Sequence, residues 1–164
     1  MPADVLTPAG ALLLDEDVTE RRLSARGHRA REFEAFTAGA GGRLLHAATL
    51  LTAETPDRNP LARRLLTAAL ARTYAQWDRV RDEDPYDLAR RELAVRFAHG
   101  ARRFNRAGGG VLGSLTPRER LVLVLRLHEG VPEEQTAALL GLSAERVRTV
   151  CHGPVLPKLS RGDK

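Results

Sequence analysis

The stretch EEQTAALLGLSAERVRTV, Glu133 to Val150, decides how the chain around it folds. Its grammar is that of a helix-turn-helix. Ala137 is small enough for a second helix to come close. Gly141, further along, admits the left-handed backbone of a tight turn. Leu142 and Val147 plug the space between the helices, and the Ser143 hydroxyl can cap the second one. On that second helix Glu145, Arg146, Arg148, Thr149 and His152 are expected to face outward. Arginine reads guanine, threonine touches a base edge or a phosphate, and a helix held this way enters the major groove of DNA.

Upstream of that stretch, TPRE (Thr116–Glu119) is a capping box with proline at the first helical position. It opens a helix that Gly130 closes. A short helix then covers about 133–140, and the helix SAERVRTVCH stops at Gly153-Pro154, with Pro157 beyond. Proline inside a helix costs about 3 kcal/mol, so the recognition helix is short. NRAGGGVLGS (Asn105–Ser114) is glycine-rich, carries no acid and reads as a flexible linker. It separates a domain over 115–164 from one over 29–104.

In the earlier domain, RRLLTAALARTYAQWDRV (Arg63–Val80) holds the only tryptophan. Leu65, Leu66, Ala69, Leu70, Thr73 and Trp77 form one apolar stripe, which predicts a helix over about 61–80. On that stripe Trp77, like Tyr74 beside it, is expected to pack rather than to stack on bases. RDEDP (Arg81–Pro85) breaks the helix, and Pro85 starts the next, which runs through Leu88, Leu93 and Phe97 toward Phe104. TAETPDRNP (Thr52–Pro60) is a loop. Before it, Leu44, Leu45, Ala48 and Leu51 continue a helical stripe, and 29–39 forms a helix with Phe33 and Phe36 on one face. Residues 1–28 read as a loose arm with one short helix near 18–25. No segment carries a strand signal, so the expected fold is all-α, in two small helical domains.

Hydrophobic residues make up 43% of the 164, enough for a core, but aromatics are only 4%, so that core must be built from Leu, Ala and Val. The net charge of +5 is uneven: −2 over 1–42, +4 over 43–103, +1 over 104–114 and +2 over 115–164. The excess thus falls on the two domains, which permits nucleic-acid binding without proving it. Cys151 is alone, which excludes an intramolecular disulfide and suits a reducing cytoplasm. The five histidines show no metal-ligand spacing. The apolar run at Ala11–Leu14 is far too short to span a membrane. Enzyme chemistry finds no footing. Asp82, Glu83, Asp84 and Asp87 lack a partner histidine, Cys151 and His152 are neighbours that do not face each other on a helix, and the triple glycine at 108–110 lacks a phosphate-loop lysine.

Two separated stretches, in order, carry a resemblance. SLTPRERLVLVLRLHEGVPEEQTAALLGLSAERVRTV (Ser114–Val150) resembles region 4 of the extracytoplasmic-function (ECF) sigma factors of the sigma-70 family. ALARTYAQWDRVRDEDPYDLARRELA (Ala69–Ala94) is similar to their regions 2.2 to 2.4. The resemblance covers about residues 30–159. It implies a region 2-like unit that docks on RNA polymerase core and opens the −10 element, and a region 4-like unit that binds the −35 element. Promoter DNA, core polymerase or an anti-sigma protein would be the partners, with no cofactor. It also implies that Tyr86 lies near where the family captures a flipped base. Arg90, Arg91, Arg96, Arg102 and Arg103 would be a phosphate-holding face.

The chain departs from the family pattern in chemically specific ways. Arg63 and Arg64, followed by Thr67 on the same docking face, stand where the family carries an acidic pair for a basic polymerase surface. Like charges there cost on the order of several kcal/mol, so these residues suit phosphate or an acidic partner better. Val95 stands at an asparagine position, Gly100 and Ala101 where large residues are common, and Val150 at a basic one. Two expectations follow: a promoter-directing sigma factor, or a derived regulator that has lost the polymerase contact and acts through DNA alone or a protein partner.

Overall fold

The computed structural model describes residues 8–79, 82–105 and 110–153, with side chains from Glu16 onward. The helices among them are α1 (Pro8–Thr52), α2 (Pro60–Ala75), α3 (Pro85–His99), α4 (Gly110–Gly113), α5 (Pro117–Leu123), α6 (Glu133–Leu140) and α7 (Ala144–His152). Short 3₁₀ turns lie at Trp77–Arg79 and Ala101–Phe104, and a π turn at Val124–His128 extends α5. The only extended pairing among the described residues is an isolated bridge between Thr55 and Arg58. The architecture is all-α, as the sequence predicts.

α1 differs from its sequence reading. The expected short helix at 18–25, the helix at 29–39 and the stripe from Leu44 are one continuous helix of 45 residues, about 67 Å long at 1.5 Å per residue. The part of the expected loose arm from Pro8 to His28 is therefore helical, while 1–7 lie outside the described residues. Gly39, Gly41 and Gly42 do not break it. Each costs about 1 kcal/mol in a helix, and a Cβ at any of them would meet no neighbour. Packing on either side outweighs that cost: Phe33 and Phe36 against aromatics before, Leu44, Ala47, Ala48 and Leu51 in the core after. From Glu16 to Arg26 every residue is exposed.

α2 begins where Glu54 supplies acceptors to its free amides. Glu54 Oε1 accepts from Leu61 N at 3.1 Å and Oε2 from Ala62 N at 2.7 Å, so a carboxylate sits at the positive helix end. α2 ends at Ala75, short of the predicted Val80, which lies outside the described residues. The chain tightens into the 3₁₀ turn and lets Trp77 meet Phe33 edge-on at 5.0 Å and Phe36 at 5.3 Å. Tyr74 lies 4.9 Å from Phe33 and beneath the Arg29 guanidinium, which donates to the Tyr74 carbonyl at 2.5 Å. The aromatics of this helix thus pack against α1.

Asp84 caps α3 by accepting from Tyr86 N at 2.7 Å. α3 stops at His99, and the following turn stacks Phe104 on Phe97 with ring centroids 4.8 Å apart. The Thr116–Glu119 capping box is present: Thr116 Oγ1 accepts from Glu119 N at 3.2 Å, and Glu119 Oε2 accepts from Thr116 N at 2.8 Å. Of the expected linker, 106–109 lie outside the described residues, and Gly110–Gly113 forms the single turn α4.

The two halves pack on one another. One core cluster joins Ala48 and Leu51 of α1, Leu65 and Ala69 of α2, and Leu93 and Phe97 of α3 to Leu121, Val124, Leu125 and Val131 of the C-terminal half. Alanines at Ala47, Ala48, Ala62, Ala69 and Ala94 let the helices approach closely. A smaller cluster of Leu115, Val122, Leu123, Ala137, Val147 and Cys151 builds the helix-turn-helix itself. Arg120 crosses between the halves: it is 1% exposed and its Nη2 donates to the Phe104 carbonyl at 2.6 Å. Burial lowers its guanidinium pKa from the ordinary value.

Candidate nucleic-acid interface

The helix-turn-helix forms for the reasons its residues suggest. Gly141 adopts φ +62°, and Leu142 N donates to the Ala137 carbonyl at 2.9 Å, which closes the turn. Ser143 Oγ accepts from Arg146 N at 3.1 Å and caps α7. Val147 is fully buried and Cys151 nearly so, both in the smaller cluster. Burial raises the Cys151 thiol pKa, with Arg126 partly offsetting it. The opposite face carries Glu145, Arg146, Arg148, Thr149 and His152, all exposed.

Those five side chains are not equally free. Arg148 is paired with Glu133 at 2.6 Å. Thr149 Oγ1 donates to the Glu145 carbonyl at 2.9 Å, and His152 Nδ1 lies 3.0 Å from the Arg148 carbonyl. Arg146 has no ion-pair partner among the described residues. The helix thus presents one unengaged guanidinium beside a surface pair that solvent screens and a phosphate can displace at low cost.

The basic face expected on α3 is split. Arg91 is bound to Glu83, and Arg90 to Asp87 at 2.9 Å, with Glu129 3.9 Å away. Arg96, Arg102 and Arg103 are exposed and have no ion-pair partner among the described residues. Arg96 and Arg103 line a cleft of about 660 Å³ between α2 and α3, opposite Arg64 and Arg72. The carboxylate in that lining, Glu92, accepts from Gln76 at 2.9 Å. Arg63 is tied by Nε to Asn59 Oδ1 at 2.9 Å, and Thr67 Oγ1 donates to the Arg63 carbonyl at 2.8 Å. Arg64 is therefore the arginine of the pair that joins the α3 arginines.

Tyr86 sits at the junction of the halves. Its hydroxyl is 3.0 Å from each carboxylate oxygen of Glu129. Arg43 lies 4.5 Å over its ring and donates to Glu129 at 3.3 Å. The Glu129 side chain is 1% exposed, and the His128 ring flanks it, 3.6 Å from Glu129 and 4.9 Å from the His46 ring. Burial first, then the charge of Glu129, pushes the Tyr86 phenol well above its ordinary pKa and keeps it a donor. Sequence reading did not find Glu129, Arg43, Arg72 or Arg120. Glu129 shows only as an acid before the helix-ending Gly130, and its partners lie 43 and 86 residues away.

A helix-turn-helix with a basic outer face, packed against helices that carry their own arginine cleft, has the shape and charge of a nucleic-acid-binding protein. Comparison with known proteins says which. The family Sigma-70, region 4 matches residues 111–152. An RNA polymerase sigma-E factor of Streptomyces coelicolor is 30% identical over 146 residues, covering 74% of this chain and 80% of that protein. Its counterpart from Streptomyces avermitilis is 29% identical over 146 residues, covering 74% of this chain and 79% of that protein. No solved structure matches. The chain belongs to the sigma-70 family, as a factor of the extracytoplasmic-function type. It is a DNA-binding regulator of transcription initiation rather than an enzyme. Among the described residues no helix is long and apolar enough to cross a membrane.

Proposed function

We propose that the chain recognises promoters with both units, α7 at the −35 element and the α2–α3 unit at the −10 element. The observation that carries this is the outer face of α7, where Arg146, Arg148 and Thr149 are exposed while Val147 and Cys151 anchor the helix behind them. A helix held from one side and basic on the other reads the major groove. Selection of bound duplexes from a random-sequence library tests it. Wild type is expected to enrich a defined motif, and Arg146→Ala with Thr149→Ala to lose it, at about 1–3 kcal/mol for a base-specific contact. Enrichment that survives both changes refutes the assignment.

A second reading is favoured by the arginines of the α2–α3 cleft that have no ion-pair partner among the described residues. The group Arg64, Arg72, Arg96 and Arg103 faces one carboxylate already engaged by Gln76. Such a surface suits an acidic protein partner in place of the usual polymerase contact. A pull-down with RNA polymerase core, against an ordinary ECF sigma factor as control, separates the two. Salt-resistant 1:1 binding supports the promoter-directing factor. Absence of binding that is restored by Arg63→Glu with Arg64→Asp supports the second reading, and absence that persists counts against the charge argument.

A further inference from the structure

The cleft between α2 and α3 is ordered along its length. Leu61, Arg64, Ala68 and Arg72 line it from α2, at steps of three and four that share one helix face. Glu92, Val95, Arg96 and His99 line it from α3 in the same way, and Arg103 follows from the 3₁₀ turn beyond. A short connection makes the two helices antiparallel neighbours, and the bond from Gln76 to Glu92 sets their register. One turn on from that bond Arg72 stands across from Arg96, and two turns further Arg64 comes opposite Arg103. The cleft therefore carries an arginine pair toward each end, about 12 Å apart by the rise of α2 between Arg64 and Arg72.

Nothing among the described residues answers this charge. Arg90 and Arg91, on the same helix α3, each have a carboxylate. The four cleft arginines are exposed and have no ion-pair partner there. Four arginines against the single Glu92, itself engaged by Gln76, leave the lining at +3. Like charges gathered in a cleft repel one another and focus their field on whatever anion enters. Between the pairs the floor is apolar: Leu65 and Phe104 are buried, Ala68 and Val95 half-buried. A volume of about 660 Å³ is in the range that holds small ligands. Guanidinium forks meet phosphate oxygens with paired hydrogen bonds, and two pairs so far apart suit several phosphates rather than one. A DNA duplex is too broad to enter a seam between helices whose axes lie about 8–10 Å apart, and touches only its rim.

We propose that this cleft is a binding site for a small, multiply phosphorylated ligand, whose phosphates bridge Arg72 to Arg96 at one end and Arg64 to Arg103 at the other. The shared chemistry is a chain of phosphates. Its source is either a condensed inorganic phosphate or a nucleoside polyphosphate, whose base would lie on Ala68 and Val95. The inference stands on the cleft alone and needs neither reading above. A ligand held here takes Arg96 and Arg103 from DNA, and Arg64 from an acidic protein, so its presence governs what else α3 can meet.

The test is isothermal titration of the full chain with inorganic tripolyphosphate, ATP and adenosine, at an ionic strength of about 0.15 M so that distant charges are screened. One equivalent of tripolyphosphate and of ATP is expected to bind, and adenosine not to. Equal affinity for the two phosphates assigns the site to condensed phosphate, and tighter ATP assigns it to a nucleotide. Arg64→Ala with Arg96→Ala changes two exposed side chains and should keep the helix content and Tm while weakening both phosphates about tenfold or more. Arg22→Ala with Arg26→Ala removes the same charge from the exposed part of α1 and should leave the affinity as it is. Ala68→Leu keeps every charge, fills the floor and should also weaken binding. Absence of binding by both phosphates overturns the proposal. An equal loss in the α1 variant overturns it in favour of the general field of a basic protein, and full affinity in Ala68→Leu overturns the cleft as the site. An oligoglutamate peptide that binds as tightly as tripolyphosphate overturns the phosphate class and returns the cleft to an acidic protein partner.

Discussion

Phe97→Ala probes the core the two halves share. Phe97 is fully buried, stacks on Phe104 at 4.8 Å, lies beneath the Arg120 guanidinium at 5.9 Å, and belongs to the cluster that joins α1–α3 to α5. Truncating a buried phenylalanine costs about 3–5 kcal/mol, the transfer term plus the cavity left behind. With an unfolding entropy of about 0.34 kcal/mol/K for a chain of this length, Tm is expected to fall by about 9–15 °C. The chain supplies its own two reporters. Trp77 packs against α1 in the N-terminal half, and Cys151 is buried in the helix-turn-helix. Tryptophan fluorescence and thiol exposure followed through one thermal melt should show coincident transitions in wild type, and both should shift together in the variant. If the fluorescence midpoint falls while the Cys151 midpoint stays, the halves melt independently and the shared-core reasoning is wrong.

Three further outcomes follow from local chemistry. Glu54→Ala removes the acceptors of Leu61 N and Ala62 N at the start of α2 and should cost about 1–2 kcal/mol in chemical denaturation, as for a lost cap; a change below a few tenths would show that solvent replaces the carboxylate. Gly141→Ala places a Cβ at φ +62° with open space around it, so it should lose about 1 kcal/mol from backbone strain alone, with no change in the site-binding motif of α7. The raised Cys151 pKa means that less thiolate is present at pH 8 than for a free cysteine. Alkylation there should be several-fold slower than in the unfolded chain, and should accelerate as pH rises; equal rates in native and denatured protein would show the thiol to be exposed.

The local grammar of this chain was legible residue by residue. The Thr116–Glu119 box, the Ser143 cap, the Gly141 turn and the outward set on α7 depend on neighbours within a turn or two of helix, so spacing alone specifies them; that Trp77 packs was legible from its apolar stripe, but its partners Phe33 and Phe36 were not. The three glycines at 39–42 misled, because their cost in a helix is set against burial of side chains before and after them, and only the tertiary partners say how large that burial is. The expected basic face of α3 divided for the same reason. Spacing puts Arg90, Arg91, Arg96 and Arg103 on one helix, but whether a charge is free depends on carboxylates brought from elsewhere, here Glu83, Asp87 and Glu129. Sequence by itself therefore determined the all-α class, the Thr116 and Ser143 caps, the helix-turn-helix and the family resemblance, since these are short-range or pattern properties, whereas the continuity of α1 and the Glu54 start of α2 were not read from it. Only the tertiary structure decided that the halves close on each other around Glu129. That contact joins residues 43 and 86 positions apart, a separation over which the spacing of residues along the chain says nothing about which side chains meet.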